Sequence, residues 1–305
     1  MARHFLTGME LAAGDLDRLL DRALELKAAP LSSQALSGMG VALVFEKPST
    51  RTRLSFEMGV HELGGHPLIL RAEDLQLTRG EPLRDTALVL SGHVSAVAVR
   101  TGPDAMLEQL AKYGSIPVIN MLTALHHPCQ ALADLLTLRE AYGALEGLRL
   151  AYVGDGNNVA RSLAILGTLA GMDVAVASPA DRSLPGDLKL APGASGALTL
   201  YTDPREAVVG AVAIYTDVWV SMGEDGDAAQ LRKTLAPYSI DDPLLDLAAP
   251  GAFAMHCLPA HPGEEITAEV LYGQRQRIWD QAENRRHAQK ALLEFLLSAD
   301  AQELR

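Results

Sequence analysis

Cysteine is nearly absent from this chain of 305 residues, because only Cys129 and Cys257 occur. Two cysteines cannot form a disulfide scaffold, so we expect a protein of the reducing cytoplasm. No apolar run approaches the roughly 20 residues that a membrane span needs. The N-terminal residues also lack the apolar core of a signal peptide. These absences argue against a secreted or membrane-spanning protein.

Positive charge is also scarce, since the formal net charge is −12 and aromatic residues make up only 5% of the chain. A basic stripe interleaved with aromatics is missing, so we expect no nucleic-acid partner. Any anion site must therefore be built locally. The remaining composition, 48% hydrophobic, predicts a globular protein with enough core for one large domain or two of ordinary size.

Short apolar runs alternate with longer segments of helical spacing along the whole chain. This alternation predicts an α/β fold with two doubly wound parallel-sheet lobes and the active site in the crevice between them. We expect one lobe over 1–143, joined by a C-terminal helix at about 280–305, and a second lobe over 144–279. The predicted strands are 41–45, 67–70, 94–99, 116–119, 149–153, 173–177, 198–201, 211–215 and 252–256. The main predicted helices are 53–63, 82–92, 103–113, 129–141, 157–170 and 280–298.

The segment from Phe45 to Arg53 has the layout of an anion cradle. A predicted strand stops at Pro48, and hydroxyl and guanidinium side chains follow where a helix should begin. The N–H groups and the positive dipole end of a helix N-terminus suit a phosphate or a carboxylate. Arginine can add a bidentate grip on phosphate oxygens. An ordinary helix cap with solvated arginines is the alternative.

Other polar clusters also follow predicted strands, where ligands bind in open parallel sheets. Arg100 ends one strand, and His127 and Gln130 follow the next. Arg100 together with Arg51 could stabilise a leaving phosphate or a developing oxyanion. A solvated strand end and a structural histidine are the alternatives.

The run Gly154-Asp155-Gly156-Asn157-Asn158 superficially resembles a dinucleotide fingerprint. The third glycine of that motif would fall at Val159, and the acidic ribose ligand after the next strand is missing. We therefore disfavour nicotinamide chemistry. The tight turn would instead expose Asn158, whose amide can both donate and accept hydrogen bonds to an amino acid.

Two further strand ends carry a carboxylate and a thiol. Asp217 with Ser221 could bind an ammonium group, although a capped loop is the plain alternative. Cys257, next to His256, could face Asp217 and contact an amine, although a buried cysteine is usually a small hydrophobe. We expect no metal, because the histidines, cysteines and acids lack compact ligand spacing along the chain. A serine hydrolase is disfavoured because no G-x-S-x-G motif occurs.

These motifs together resemble the aspartate/ornithine carbamoyltransferase family, specifically its ornithine branch, over about residue 40 to Arg285. The resemblance rests on the segments 49–53, 100–101, 127–130, 154–158, 217–223 and 256–259. It implies transfer of a carbamoyl group from carbamoyl phosphate to the side-chain amine of ornithine in arginine metabolism. It also implies a homotrimer or an assembly of trimers, a cis Leu258–Pro259 bond and no cofactor.

The resemblance also implies a role for individual residues. Those implied to bind carbamoyl phosphate are Ser49, Thr50, Arg51, Thr52, Gln76, Arg100, His127, Gln130, Cys257, Leu258 and Arg285, with Gln76 reaching into a neighbouring subunit's site. Those implied to bind ornithine are Asn158, Asp217, Ser221 and Met222. The implied catalytic group is Arg51, Arg100, His127, Asp217 and Cys257. Pro262 is a departure, since many relatives carry a basic residue there.

Three alternatives stay open at this point. A carbamoyltransferase acting on putrescine or N-acetylornithine would share the phosphate-binding residues. A nucleotide-dependent dehydrogenase is opposed by the broken glycine pattern. A non-enzymatic amino-acid-binding protein would have no chemical use for Arg51, Arg100 and His127 together.

Overall fold

The computed structural model describes residues 2–71, 73, 75, 80–220 and 228–298. Contacts between Cα atoms divide the chain into two compact units. Unit 1 comprises the chain up to Leu136 together with the chain from Glu283 onward, and unit 2 is Thr137–Ala282. The division falls inside a helix, rather than at the predicted glycine-containing boundary near residue 143.

Unit 1 is built on a 4-stranded parallel sheet with the strand order β2-β1-β3-β4. The strands are β1 (Gly40–Phe45), β2 (His66–Arg71), β3 (Ala96–Arg100) and β4 (Val118–Leu122). The helices are α1 (Ala13–Ala28), α2 (Thr50–Glu62), α3 (Leu83–His93), α4 (Asp104–Tyr113) and α5 (Pro128–Tyr142), the last running across the division into unit 2. Strands β1, β3 and β4 are buried almost end to end, as expected for a parallel sheet covered on both faces.

Unit 2 is built on a 5-stranded parallel sheet with the order β7-β6-β5-β8-β9. The strands are β5 (Arg149–Val153), β6 (Asp173–Ala177), β7 (Leu198–Tyr201), β8 (Ala213–Thr216) and β9 (Phe253–His256). The helices are α6 (Asn158–Leu169), α7 (Pro204–Val208), α8 (Ala228–Leu235), α9 (Asp242–Leu245) and α10 (Ala268–Tyr272), with 3₁₀ turns at Ala180–Arg182 and Ala236–Tyr238. A last helix, α11 (Ile278–Leu297), starts in unit 2 and continues into unit 1.

The prediction of two parallel α/β sheets is confirmed, and each predicted strand and each main predicted helix occurs within a few residues of its expected position. The sequence analysis missed helix α1, although its buried leucines 16, 19, 20 and 26 have helical spacing. It also missed α7, α9 and α10, which are too short to show a period. Their signal is instead a capping side chain, from Asp203, Asp241 and Thr267 respectively. Among the helices in the described ranges, none has the length and apolarity to cross a membrane.

Within unit 1, a buried ion pair connects the C-terminal helix α11 to α2. Lys290 on α11 lies 2.6 Å from a carboxylate oxygen of Glu62 on α2. The same ammonium group donates to the carbonyls of Leu26 and Pro30. Glu62 is also 3.3 Å from Arg286. The pair therefore ties α11 to α1 and α2 with hydrogen bonds that satisfy the buried charge.

We predict that Lys290→Met lowers the free energy of unfolding by about 3 kcal/mol, because it leaves the Glu62 carboxylate buried without its closest partner. The measurement is urea unfolding at pH 7. The double variant Lys290→Met/Glu62→Leu should recover a large part of the loss, since it removes both charges. A single variant as stable as the parent would show that the pair does not anchor α11.

Candidate active site

In unit 1, the polar residues gather where the strand order changes direction. The chain runs from β1 outward to β2 and then returns to place β3 on the other side of β1. Ligands bind outside the carboxyl ends of strands at such a switch point. Phe45, the last residue of β1, pairs with Arg100, the last residue of β3. The topology therefore places a crevice at this edge of the sheet, next to Arg100 and the start of α2.

The start of α2 is arranged for an anion rather than for its own capping. Ser49 is the N-cap, with extended backbone, and its side chain makes no capping hydrogen bond. The first turn, which the structure describes in full, holds no acidic residue. Acidic side chains normally stabilise that position and basic ones do not. Arg51 and Arg53 both stand at the positive end of the dipole, which makes this helix start electrostatically favourable for an anion.

Only one of these two arginines lies near the other polar side chains at this end of the sheet. Arg53 is exposed and lies 3.3 Å from Glu57, an i,i+4 ion pair on the surface of α2. Arg51 is half-buried and lies close enough to His127 to affect its pKa. The sequence analysis grouped Arg51 with Arg53, and the structure separates them. The reason is the 3.6-residue turn, which sends the two side chains to different faces.

Two other arginines, Arg100 and Arg285, both contact Thr52. Its hydroxyl oxygen accepts a hydrogen bond of 2.7 Å from Arg285 and a longer one of 3.4 Å from Arg100. Arg285 also donates to the side-chain oxygen of Gln130. Thr52, Gln130 and Arg285 are each at most 3% exposed. One buried cluster therefore combines residues from the start of α2, the end of β3, the start of α5 and α11. Thr52 and Arg285, which are in contact, lie 233 positions apart in the sequence.

His127 belongs to this cluster and is uncharged. The pKa of His127 is lowered well below its usual value, first by burial and then by the positive charges of Arg285, Arg100 and Arg51. A neutral imidazole can donate one hydrogen bond to a carbonyl without adding another cation. The cluster thus combines three guanidinium groups with one neutral donor, an arrangement suited to an anion that carries a carbonyl group.

The amide of Gln130 is held in a defined orientation by Asp134. Its nitrogen donates to Asp134 at 2.8 Å, while its oxygen faces Arg285. Asp134 is fully buried one helical turn along α5. The sequence analysis gave Asp134 no role. The contact fixes Gln130 with an acceptor, not a donor, directed into the cluster.

In unit 2, a second polar cluster lies at the switch point between β5 and β8. Asp217 follows β8 and is 6% exposed. One of its oxygens accepts hydrogen bonds from the Cys257 thiol at 2.6 Å and from the Val218 backbone at 2.8 Å. The prediction that Cys257 faces Asp217 is confirmed. Because β8 and β9 pair in parallel up to Thr216 and His256, their next residues emerge side by side.

The backbone after β9 is held by a buried histidine and a buried glutamate. The Leu258 amide donates to Nδ1 of His256 at 2.8 Å, so the ring proton lies on Nε2. That nitrogen is 3.1 Å from Glu265. Leu258 has φ of 61° and the Leu258–Pro259 bond is cis, as the resemblance implied. Cys257 and the Leu258 backbone are therefore presented by a turn with defined hydrogen bonds.

The glycine-rich turn after β5 is packed against protein rather than open to a cofactor. A Cβ placed on Gly156 would lie 2.4 Å from the Arg182 carbonyl and 2.8 Å from the Leu184 nitrogen. In a dinucleotide fingerprint, the second glycine lets the backbone approach a pyrophosphate. Here the backbone of residues 182–184 takes that space. Asn158, the first residue of α6, follows directly after this turn.

Several predicted residues are not part of these hydrogen-bonded clusters or cannot be placed. Ser49 is half-buried and Thr50 is exposed at the start of α2. Gln76, Ser221 and Met222 lie outside the described residues.

Two groups of side chains in the structure have possible metal-ligand atoms close together, although the sequence analysis expected no metal site. Within the described ranges, the ligand atoms of Asp217, His256 and Cys257 all lie within 4.8 Å of one another, as do those of His261, Glu264 and Glu265. In the first group both ring nitrogens of His256 are engaged with Leu258 and Glu265, and the thiol donates to Asp217. Folding brings Asp217 next to His256 and Cys257, which spacing along the chain could not show, whereas His261, Glu264 and Glu265 are already close in sequence.

The two parallel sheets carry different clusters, one of arginines that suits an anion and one of a carboxylate and a thiol that suits an amine, which is the pattern of a two-substrate α/β enzyme. Residues 3–140 match the carbamoyl-phosphate-binding domain of the aspartate/ornithine carbamoyltransferases, and residues 146–296 match their aspartate/ornithine-binding domain. The chain belongs to the aspartate/ornithine carbamoyltransferase family.

Individual relatives align with this chain over nearly its whole length. An ornithine carbamoyltransferase of Acidothermus cellulolyticus is 50% identical, covering 98% of both chains. The structure of ornithine carbamoyltransferase from Pyrococcus furiosus is 44% identical, covers 98% of both chains and superposes with a TM-score of 0.93. An acetylornithine transcarbamylase complexed with acetylcitrulline is 30% identical, covers 96% of this chain and 98% of its own, and has a TM-score of 0.86.

Proposed function

We propose that this protein is an ornithine carbamoyltransferase, which transfers the carbamoyl group of carbamoyl phosphate to the side-chain amine of L-ornithine and gives L-citrulline and phosphate. The observation that carries the proposal is the pairing of two clusters with two family domains. The arginine cluster around Thr52 lies in the part that matches the carbamoyl-phosphate-binding model. The Asp217–Cys257 pair lies in the part that matches the aspartate/ornithine-binding model.

The phosphate end of carbamoyl phosphate is assigned to the start of α2. Ser49, Thr50, Arg51 and Thr52 offer hydroxyl groups, backbone N–H groups and one guanidinium, and Arg100 adds a second. Gln76 is proposed to come from a neighbouring subunit. Cationic groups aimed at the phosphate favour the transition state, because negative charge builds up on the leaving oxygen.

The carbamoyl end is assigned to His127, Gln130 and Arg285. A neutral His127 and the guanidinium of Arg285 can donate to the carbonyl oxygen, and the Gln130 oxygen can accept from the carbamoyl NH₂ group. The backbone of Cys257 and Leu258 is proposed to contribute as well. These contacts polarise the carbonyl carbon toward attack and stabilise the oxyanion that forms.

Ornithine is assigned to unit 2, with Asn158, Asp217, Ser221 and Met222 as its binding residues. Asp217 attracts an ammonium group, and Cys257 lies next to it. The amine must lose a proton before it attacks. Its nitrogen then forms a bond to the carbonyl carbon, the carbon–oxygen bond to phosphate breaks, and the departing phosphate can accept the second proton. No cofactor is required, because carbamoyl phosphate is already activated.

In domain terms, we assign carbamoyl phosphate to residues 1–143 with the C-terminal helix from about 280, and ornithine to residues 144–279. Arg285 supports this division, because it contacts Thr52 and Gln130 of unit 1. We also infer a cytoplasmic location, where Cys129 and Cys257 stay outside any disulfide, and a place in arginine biosynthesis.

The experiment that tests the function is an acceptor panel. Purified protein with carbamoyl phosphate is incubated separately with ornithine, N-acetylornithine, putrescine and aspartate, and the ureido product is measured. We expect citrulline from ornithine, with the other acceptors at least a hundredfold slower. N-acetylornithine is the competing acceptor, because one of the similar structures is an acetylornithine transcarbamylase. A preference for it or for putrescine would overturn the ornithine assignment.

We predict that Arg51→Ala lowers kcat by at least a hundredfold, because Arg51 is assigned to the phosphate that leaves. The matched control is Arg53→Ala, which removes the same group two residues away, where it pairs with Glu57 on the surface. That variant should keep kcat within about twofold. Steady-state assays of citrulline formation measure both, and equal effects would contradict the separation of the two arginines.

We further propose that the chain assembles as a homotrimer through unit 1. Leu54 and Met58 on α2 are 58% and 42% exposed, and Leu88 and Val89 on α3 are 54% and 56% exposed. Large apolar side chains exposed in pairs on helices commonly mark a protein interface.

Sedimentation equilibrium should give three chain masses for the parent protein. Leu54→Glu should dissociate it, because a charge in an apolar interface has no partner there. The control is Leu247→Glu in unit 2, where Leu247 is 46% exposed. A monomeric parent would refute the assembly proposal without affecting the assignment of the two clusters.

A further inference from the structure

Asn157 forms a link between the start of helix α6 and the acidic residue of unit 2. We propose that Asn157 is a positioning residue for the ornithine half-site, which holds Asp217 in the orientation that receives the amine and the Cys257 thiol. The inference rests on the proposed function and deepens it. The family resemblance assigned Asn158, its neighbour, and left Asn157 without a role.

The amide of Asn157 can have only one orientation. Its oxygen accepts hydrogen bonds from the backbone N–H groups of Val159 at 2.9 Å and Ala160 at 3.2 Å, and from the Tyr152 hydroxyl at 3.2 Å. All three partners are donors, so an amide nitrogen could not take that place. The nitrogen of Asn157 therefore points the other way, where it donates to Asp217 at 2.8 Å.

Tyr152 is a dependable donor in this network. The pKa of Tyr152 is raised well above its usual value, chiefly by burial and further by the negative charges of Asp217 and Asp155. The phenol thus keeps its proton and donates to the Asn157 oxygen, while the two backbone N–H groups fix which end of the Asn157 amide faces the helix. Asp155 itself lies 3.3 Å from Arg182, which offsets part of its charge.

Asp217 is consequently held through both of its oxygens. One accepts from Asn157, and the other accepts from the Val218 backbone and from Cys257. With these contacts the plane of the carboxylate is defined before any ligand binds. A preorganised carboxylate can receive an amine without reorganisation, which is how positioned groups lower a reaction barrier.

Asparagine is the residue type that meets both demands. Aspartate and serine cap helices about as well as asparagine does. Aspartate, however, would bring a second negative charge against Asp217, and serine is too short to reach it. A residue that served only as a helix cap could be replaced by either one. The two substitutions therefore separate the cap from the contact to Asp217.

The test compares Asn157→Ser and Asn157→Asp with the parent enzyme in citrulline assays at saturating carbamoyl phosphate. Asn157→Ser should lower kcat/KM for ornithine by about ten- to a hundredfold, the usual effect of losing a hydrogen bond to a charged group. Its thermal midpoint should stay within a few degrees of the parent, because the cap is retained. Asp241→Ser is the control, since Asp241 caps α9 of the same unit, and its kcat/KM should be unchanged.

The Asn157→Asp variant provides a signature in the pH profile. Two carboxylates so close together favour sharing one proton. At lower pH the protonated acid can donate to Asp217 as the amide does, so part of the lost activity should return as the pH falls from 9 to 7. The parent enzyme should show no such recovery. Wild-type kcat/KM for ornithine in both variants, at all pH values, would overturn the inference and leave Asn157 as a helix cap.

A second measurement keeps this inference separate from the proposed function. Iodoacetamide alkylates thiolates, and Cys257 donates to Asp217. The added charge of Asn157→Asp should slow alkylation of Cys257 at pH 8 several-fold. Cys129 does not interfere, because it is fully buried and burial raises its pKa to about 12. If the parent enzyme made no citrulline, the function would fail, and equal alkylation rates would independently overturn the role of Asn157.

Discussion

The concentration of positive charge around a neutral histidine is the interaction on which unit 1 depends. Burial lowers the pKa of His127 most, and the positive charges of Arg285, Arg100 and Arg51 lower it further. Charges removed from water must be paired or hydrogen-bonded. Thr52 accepts hydrogen bonds from Arg285 and Arg100, and Gln130 accepts one from Arg285, which helps to meet this need.

The parallel sheets make such clusters possible. Each sheet reverses its strand order once, and the side chains that follow the strands on either side of the reversal emerge together. In unit 1 this brings the start of α2 beside the end of β3. In unit 2 it brings the turn after β5 beside Asp217 and Cys257. The two substrates of the proposed reaction are chemically different, an anion and an amine, and each unit presents the complementary charge.

In both clusters, hydrogen bonds from supporting residues orient the side chains that we assign to the substrates. Asp134 directs the amide of Gln130, Asn157 directs Asp217, and the Glu265–His256 pair holds the Leu258 backbone. Sequence motifs pointed to the ligand-facing members of these pairs but not to their supports. A supporting residue has no distinct local pattern, since its partner can lie 60 positions away, as Asp217 does from Asn157.

The sequence by itself determined the α/β class and the position of each predicted strand, because apolar runs and helical periods are local properties of the chain. It also placed the polar clusters at strand ends and identified the family through its motifs. Tertiary structure decided which arginines are buried together, separating Arg53 on the surface from Arg285 near Thr52. It likewise decided that Lys290 pairs with Glu62 and Asn157 with Asp217. These choices depend on distances between residues far apart in the chain, which only the packing of sheets and helices sets.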